Sequence, residues 1–359
     1  MISLLAAFFT SFFITILIVR TQKLHGGISG DKDFDGPQKF HTAAVPRIGG
    51  LGIGLALFSS IAISYQSSTD GPLKMAMLFC ALPAFGIGLT EDLTKKISVR
   101  TRLLITAFGA ALATIFLNAR IIGLDIPIAD LAFSIPAVSI IFTVFAITGL
   151  ANAYNIIDGF NGLSSMVGII TLLALGYIGI KFNDPLIFFL SFSMAAAIMG
   201  FFLLNYPRGL IFLGDGGAYL IGFWVGTLSV LLVNRHPEIS PWFAVMVNAY
   251  PIMETLFTIY RRKFHQGKSP GHPDGIHFHS IIFRRILNPA NIQSELDWFN
   301  ANSKTSPYLW VISSMATIPA VLFWHSTPIL ILFIALFTLS YVWLYKKMVT
   351  FKTPKWMHP

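Results

Sequence analysis

Long apolar runs alternate with short polar interruptions along the whole chain. Each run approaches the roughly 20 residues that a helix needs to cross the hydrocarbon layer of a bilayer. The runs lie near residues 2–19, 48–65, 73–90, 102–118, 133–151, 163–180, 185–204, 216–233, 241–260, 307–324 and 328–345. The pattern predicts an all-α, polytopic integral membrane protein with about eleven transmembrane helices. We expect one membrane-embedded domain over residues 1–359, which contains a cytoplasmic, histidine-containing loop at 261–306.

The composition excludes an ordinary soluble domain. Of the 359 residues, 55% are hydrophobic and only 11% are charged, whereas soluble domains carry about 25% charged residues. The single cysteine, Cys80, lies in an apolar run and cannot form an internal disulfide. We expect it to be an inert thiol facing the protein core or lipid.

The positive charge indicates the topology. With the N-terminus outside, the segments predicted to be cytoplasmic hold 21 of the 25 Lys and Arg residues. Short cytoplasmic loops of membrane proteins carry this excess. The sequence therefore predicts an external N-terminus and a cytoplasmic C-terminus, and the net charge of +9 does not indicate a nucleic-acid partner. No positive charge precedes the first run and Arg20 follows it, so we expect a retained helix rather than a cleaved signal peptide.

The stretch 152–162 places polar side chains between two apolar runs, on the predicted cytoplasmic side. Asn155, Asp158 and Asn161 offer the oxygen ligands that Mg²⁺ prefers, and their amides can also bind a sugar or a base. Gly159 allows another backbone or a ligand to approach closely. A polar turn between two helices is the alternative.

Other carboxylates lie at the ends of predicted helices on the same side. Glu91 and Asp92 are adjacent, so their repulsion must be offset by a metal, a lysine or a proton. Asp215 lies among glycines where a helix begins, a setting suited to a divalent ion and a diphosphate. The alternatives are a solvated helix end for the pair and an N-cap for Asp215.

Glu254 differs because it lies inside an apolar run, three residues after Pro251. An intramembrane carboxylate is a functional candidate by default. Pro251 could break this helix and expose polar backbone. Glu254 could instead only pair with a basic neighbour, Arg261 or Arg262.

Basic and imidazole groups occur in two predicted cytoplasmic loops. Lys39, His41 and Arg47 precede a glycine-rich helix start, where they could bind phosphate. His277 and His279 could donate to phosphate oxygens or chelate a metal, and the scarcity of cysteine favours phosphate over zinc. A basic loop beside the membrane and a plain surface loop are the alternatives.

In this order, the motifs resemble those of the polyprenyl-phosphate N-acetylhexosamine-1-phosphate transferases, in glycosyltransferase family 4. The resemblance covers about residues 36–285 and is greatest to the branch that uses UDP-N-acetylhexosamines. The motifs are Lys39-x-His41, Pro46-Arg47-Ile48-Gly49-Gly50, Glu91-Asp92, Asn155-x-x-Asp158-Gly159-x-Asn161-Gly162, Gly214-Asp215-Gly216-Gly217 and Pro273-Asp274-x-x-His277-x-His279. This chain departs from the family pattern at Glu91 and Glu254, where aspartate is usual, and at Ser280, where histidine is usual.

The resemblance implies transfer of an N-acetylhexosamine-1-phosphate from a UDP-sugar to polyprenyl phosphate in the inner membrane, with the site on the cytoplasmic face. It implies catalytic roles for Glu91, Asp92, Asp158 and Asp215. It implies substrate binding by Lys39, His41, Arg47, Asn155, Asn161, His277 and His279. The expected metal is Mg²⁺, or else Mn²⁺, on Asp215 and Asp158, and a homodimer is a further expectation. A secondary transporter of an anionic solute and an inactive scaffold of the same fold are the alternatives.

Overall fold

The structure is a computed structural model that describes residues 1–31, 45–66, 69–265, 276–286 and 295–350. The predicted Lys39 and His41, and the Pro273-Asp274 part of the last motif, lie outside these residues. The helices are α1 (Ile2–Arg20), α2 (Gln22–Ser29), α3 (Gly49–Tyr65), α4 (Gly71–Thr94), α5 (Val99–Phe116), α6 (Pro127–Phe133), α7 (Pro136–Ile157), α8 (Leu163–Lys181), α9 (Pro185–Asn205), α10 (Gly214–Arg235), α11 (Pro241–Val247), α12 (Ala249–Tyr260), α13 (Phe278–Ile286), α14 (Glu295–Leu322) and α15 (Thr327–Val349). A π-helical turn, Arg261–His265, follows α12, and a short antiparallel pair joins β1 (Gly30–Asp31) to β2 (Val45–Pro46).

The prediction of a nearly all-helical membrane protein is confirmed. Within the described part of the chain, eight helices are long and apolar enough to cross a membrane: α1, α4, α5, α7, α8, α9, α10 and α15. The count is nine if α11 and α12, whose apolar stretches meet at an angle of 76°, form one broken span. Helix α3 is apolar but shorter, and α14 covers the tenth predicted run. The total of eleven spans and the orientation of the termini remain predictions.

The helices begin where local chemistry favours it. The Ser98 hydroxyl accepts the Thr101 N–H at the start of α5. The Asp184 carboxylate accepts the N–H groups of Leu186 and Ile187 at the start of α9. Such caps satisfy backbone donors that have no partner within the helix. A proline occupies one of the first two positions of α7, α9 and α11, where its missing N–H costs no helical hydrogen bond.

Helix α10 is the centre of the bundle, because every residue from Gly214 to Leu232 is buried. It packs against α3, α4, α7 and α8. Glycines allow the closest of these approaches, since a methyl group on Gly50 of α3 would collide with the backbone of Gly217. The outer helices α1 and α15 instead expose large apolar side chains, which suits contact with lipid. Cys80 is buried, as expected of a core thiol.

The structure corrects several predicted boundaries. Helix α7 continues to Ile157, so half of the stretch 152–162 is helical. The last residues of this helix are packed in the protein, since Ala153, Tyr154 and Ile157 are buried. The break in the ninth run lies at Asn248 rather than at Pro251, which sits in the first turn of α12. Helix α14 begins at Glu295, within the region predicted as a loop, and the short α6 was not predicted.

Polar contacts gather at both ends of the bundle. Asp184 accepts hydrogen bonds from Arg235 at 2.6 Å, and its Oδ2 lies 2.9 Å from the His236 ring. Asn234 donates to the Asn118 carbonyl at the same end. Helix α10 starts at Gly214, at the opposite end of the bundle, and the predicted site residues lie around that start.

Candidate active site

The start of α10 is held by a carboxylate from α4. Both oxygens of Asp92 accept backbone hydrogen bonds, one from Asp215 and one from Gly216, each at 2.8 Å. A negative charge at a helix N-terminus is favourable, since it meets unpaired N–H groups and the positive end of the helix dipole. Gly214 has a φ of +75°, and a Cβ there would collide with the backbone of Arg47. The glycine-rich motif thus permits the turn that aims Asp215.

The Asp215 carboxylate is the meeting point of three elements. The Asn155 amide on α7 donates to its Oδ1 at 3.0 Å. The Arg47 guanidinium, before α3, approaches the same oxygen at 3.5 Å. Arg102 on α5 forms an ion pair with the other oxygen, Oδ2. Three of the predicted site residues, Asp215, Asn155 and Arg47, therefore lie together although they are far apart in the chain.

Arg102 is the member of this cluster that sequence reasoning missed. It lies in the first turn of α5, and its guanidinium is 5.9 Å from the centre of the Tyr219 ring. The Tyr219 hydroxyl donates to Asn152, which connects this side of the site to α7. The sequence did contain one signal, because Arg102 is a basic residue at the start of a predicted helix, on the predicted cytoplasmic side of the membrane. Nothing local distinguished it from Arg100.

Asp158 follows α7 directly and belongs to the turn before α8. Burial raises the pKa of its carboxyl to about 7, against the opposing influence of the positive Arg47. A carboxylate is costly to ionise when water is excluded, unless a positive partner is present. The positive charge of Arg47 lowers this cost at Asp158.

The donor set fits a magnesium ion better than a zinc ion. Among the described residues, no group of three His, Cys, Asp or Glu side chains is arranged to hold a metal. Mg²⁺ is commonly bound by one or two protein carboxylates, with substrate phosphates and water completing the shell. Asp215 and Asp158 supply this smaller set. Asp215 is already held by cationic and amide donors, which shows that its position favours a positive partner.

Glu91 does not contact the start of α10, as its neighbour Asp92 does, but binds the connection between α4 and α5. Its Oε2 accepts the N–H of Ile97 at 2.6 Å and closes the short connection between α4 and α5. The two adjacent carboxylates therefore use separate partners. The catalytic roles that the family resemblance implies for Glu91 and Asp92 remain predictions. The described hydrogen bonds of both residues are with backbone N–H groups, and Asp92 also lies 3.9 Å from the Arg47 guanidinium.

Asn161 is buried and joins the central turn to α14. Its N–H donates to the Asn302 side chain at 3.1 Å, and its carbonyl accepts from the Ser306 hydroxyl at 2.6 Å. Its amide donates to the Pro207 carbonyl at 3.2 Å. None of these contacts joins it to Asp215. Its described hydrogen bonds support the turn, and its substrate-binding role stays a prediction.

The segment that contains His277 and His279, here called the histidine segment, packs against the turn between α7 and α8 that contains Asp158, here called the central turn. His277 and His279 are buried, and their rings stack with centroids 5.1 Å apart. A Cβ on Gly159 would lie 2.8 Å from Nε2 of His279, which explains the small residue beside Asp158. The Phe160 ring contacts the His279 ring edge-on. The structure thus brings the last motif and the central motif together.

Glu254 has partners on two segments, the one around His277 and helix α15. Its Oε1 lies 3.1 Å from Nδ1 of His277 and accepts the Phe278 N–H at 3.0 Å. Its Oε2 accepts the Tyr341 hydroxyl of α15 at 2.8 Å. The expected alternatives were an intramembrane functional group and a simple partner of Arg261 or Arg262. The described contacts connect Glu254 to His277, a predicted site residue, and a functional role for Glu254 stays a prediction.

Comparison with known proteins agrees with this arrangement. Residues 49–233 match the family described as "Glycosyl transferase family 4". The chain is 30% identical over 259 residues to the undecaprenyl-phosphate alpha-N-acetylglucosaminyl 1-phosphate transferase of Yersinia pestis, covering 69% of this chain and 68% of that protein. It is 29% identical over 251 residues to the protein of the same name from Thermotoga maritima, covering 69% and 72%.

A relative from Bacillus subtilis, named as a probable undecaprenyl-phosphate N-acetylglucosaminyl 1-phosphate transferase, is 26% identical over 283 residues and aligns over 78% of this chain and 77% of its own length. The family match includes Asp215, its partners Asn155 and Arg102, and the turn at Asp158, and it begins just after Arg47. It ends before the histidine segment, which the structure packs against that turn. The chain therefore belongs to glycosyl transferase family 4.

Proposed function

We propose that the protein transfers N-acetylglucosamine-1-phosphate from UDP-N-acetylglucosamine to undecaprenyl phosphate. The products are undecaprenyl-diphosphate N-acetylglucosamine and UMP, and the lipid product begins a cell-envelope glycan. One observation carries the proposal: Asp215, at the N-terminus of the central helix, lies between the guanidinium groups of Arg47 and Arg102. The names of the relatives support undecaprenyl phosphate as the acceptor and N-acetylglucosamine-1-phosphate as the transferred group, and the family resemblance implies a UDP-sugar as the donor.

The reaction brings two anions together. An oxygen of the lipid phosphate attacks the β-phosphorus of the nucleotide sugar and forms a new P–O bond. The bond from that phosphorus to the bridging oxygen breaks, and UMP leaves with the electron pair. Arg47 and Arg102 are placed to neutralise phosphate charge as it shifts to the leaving group. Because the second pKa of a phosphate monoester is about 6, the nucleophile needs no strong protein base near neutral pH.

A divalent cation completes the proposed site. Asp215 and Asp158 would hold Mg²⁺, or Mn²⁺ in its place, and the ion would neutralise phosphate charge as a Lewis acid. Asn155 would keep the Asp215 carboxylate oriented, as it does through its 3.0 Å hydrogen bond. This division leaves Asp92 to cap α10 and to hold the backbone of Asp215 in place.

The remaining predicted groups would bind substrate. His277 and His279 lie beside the central turn and can donate to diphosphate oxygens. Lys39 and His41 would add to this set from the segment before β2. The small residue Gly159, next to Asp158 in the chain, lets His279 pack closely against this turn, where nucleotide and metal would meet.

We further propose that the chain crosses the inner membrane eleven times, with an external N-terminus and a cytoplasmic C-terminus. The excess of Lys and Arg in alternate segments supports this orientation. It places Arg47, Arg102 and Asp215 on the cytoplasmic face. A homodimer is part of the same proposal and awaits a measurement of mass in detergent.

A transporter of an anionic solute is the weaker alternative. Transporters bind substrate near the middle of the membrane between repeated halves. Here the charged cluster surrounds the first turn of α10, at one end of the bundle. Membership of a glycosyl transferase family also favours chemistry over transport.

The direct test is release of UMP by purified protein in detergent with Mg²⁺, undecaprenyl phosphate and a panel of UDP-N-acetylhexosamines. We expect lipid-dependent UMP from UDP-N-acetylglucosamine. Asp215→Asn should abolish this release, whereas Glu238→Gln, an exposed change at the opposite end, should leave it unchanged. Full Mg²⁺-dependent turnover by folded Asp215→Asn protein would refute the site. Solute uptake into vesicles without UMP release would establish the transporter instead.

A further inference from the structure

Glu254 is a buried carboxylate with no place in the reaction described above. Only 1% of its surface is exposed, and it lies on α12, after the break in the ninth apolar run. A carboxylate in such a position is destabilising unless its oxygens accept hydrogen bonds. Its described hydrogen-bond partners are His277 and Phe278, in the histidine segment, and Tyr341 on α15.

The contact with His277 determines which ring atom is available. Nδ1 of His277 lies 3.1 Å from Glu254 and 3.2 Å from the Thr258 hydroxyl. A carboxylate that accepts from one imidazole nitrogen fixes the orientation and tautomer of the ring. Nδ1 is thus engaged within the protein, and Nε2 is the atom that can meet a substrate.

The last helix strengthens this arrangement from the other side. The Tyr341 hydroxyl donates to the second oxygen of Glu254 at 2.8 Å. The Tyr345 hydroxyl donates to the Ile276 carbonyl at 3.0 Å. Both flanks of His277 are therefore tied to α12 and α15, elements outside the matched family region of residues 49–233.

Orientation extends from His277 to His279. Their rings stack at an interplanar angle of 17°. His279 in turn lies against Gly159, beside Asp158. A shift of His277 would therefore displace the group that approaches the central turn.

We propose that Glu254 is a positioning residue that orients His277, and through it His279, toward the diphosphate of the nucleotide substrate. This inference rests on the proposed function, because it assigns the paired histidines to the nucleoside diphosphate. Glu254 does not touch substrate. Its partner Tyr341 makes the C-terminal helix part of the same support.

A double-mutant cycle tests the proposal. Glu254→Gln keeps the size of the side chain but removes its charge, and Tyr341→Phe removes one hydroxyl. We expect Glu254→Gln to raise KM for UDP-N-acetylglucosamine about tenfold, by analogy with the lower end of the effect of residues that orient metal-binding histidines. Because orientation affects nucleotide binding, kcat should change much less. In a His277→Ala background the same substitution should change KM less than about twofold, since the group it acts through is gone.

The contrary result is additivity. If Glu254→Gln raises KM equally with and without His277, Glu254 supports the fold only, and the proposal is overturned. Should Glu254→Gln fail to yield folded protein, the Tyr341→Phe cycle gives the same comparison. Glu238→Gln is the matched exposed control.

Binding measured without lipid separates this inference from the transferase proposal. Stabilisation of the protein by UDP against heat should weaken in Glu254→Gln and in His277→Ala. If UDP stabilises wild-type protein and stabilises the two variants less, but wild-type protein releases no UMP, the positioning role stands and the transferase proposal fails. If turnover occurs and the double-mutant cycle is additive, the transferase proposal stands and the positioning role fails. If wild-type protein is neither stabilised by UDP nor able to release UMP, both fail.

Discussion

Replacement of Asp92 by Asn tests whether this carboxylate is chiefly a helix cap. Both oxygens of Asp92 accept N–H groups at the start of α10, at 2.8 Å each, and the residue is only 2% exposed. An amide has one oxygen, so one of the two N–H groups would face an NH₂ group instead. The substitution therefore breaks one hydrogen bond and removes the charge beside the helix dipole.

The magnitude follows from these losses. A hydrogen bond to a charged acceptor contributes about 1.5–3 kcal/mol. A partly buried charge at a helix terminus adds up to about 2 kcal/mol. Loss of the attraction to Arg47, 3.9 Å away, adds little because that guanidinium also contacts Asp215, and removal of a buried charge offsets part of the total loss. We expect a net destabilisation of about 3 kcal/mol.

The assay is the apparent unfolding temperature of purified protein in detergent with EDTA. At about 2 °C per kcal/mol for a large chain, the transition should fall by roughly 6 °C. Because EDTA removes divalent ions, the unfolding temperature measured in EDTA distinguishes the loss of a helix cap from the loss of a metal ligand. Loss of a cap lowers stability without any metal. Loss of a metal ligand only removes the stabilisation that added Mg²⁺ provides.

An unchanged transition in EDTA would refute the capping argument, especially if Mg²⁺ no longer stabilised the variant. Glu238→Gln, exposed at the other end of the bundle, should leave the transition unchanged in both conditions. Activity should fall in Asp92→Asn as well, because the same N–H groups hold Asp215 in place.

Three further results follow from the structure. Arg102→Ala should lower kcat about 10²-fold in the UMP assay, because it removes a positive group next to Asp215. Asp184→Asn should be less stable than wild type at neutral pH. Although burial acts to raise the pKa of Asp184, its hydrogen bonds lower that pKa overall, so the difference in unfolding temperature should shrink as pH falls below about 4. Gly50→Ala should cost about 1–3 kcal/mol in a denaturation assay, since the added methyl group meets the backbone of Gly217.

Each of these has a matched control on the chain. Arg100→Ala removes an exposed arginine two residues from Arg102 and should leave kcat unchanged; equal losses in both variants would contradict the site assignment. Gly86→Ala adds a methyl group where nothing lies within 4 Å, so it should be neutral or stabilising. A difference between Asp184→Asn and wild type that persists at low pH would show that charge at Asp184 is not the cause.

Much of the candidate site could be predicted from local sequence because its functional groups occur in short motifs. Asp215 with its glycines and the Asn155–Asp158 spacing each concentrate a recognisable function in a few residues. The family resemblance added their roles, and the match over residues 49–233 confirms that resemblance. The predictions for Asn161 and Glu91 remain untested, since neither contacts Asp215 in the described hydrogen bonds.

The sequence by itself determined the class of protein and the approximate positions of its long apolar helices. Apolar runs of bilayer length must form hydrogen-bonded helices in lipid, so their existence depends on local composition alone. Only the tertiary structure decided which side chains meet. Arg102 reaches Asp215 across 113 positions, and Asp92 reaches the start of α10 across 123. Hydropathy along a chain records which residues leave water but not which helices become neighbours, and that pairing brought Arg102 to the site and Glu254 to His277.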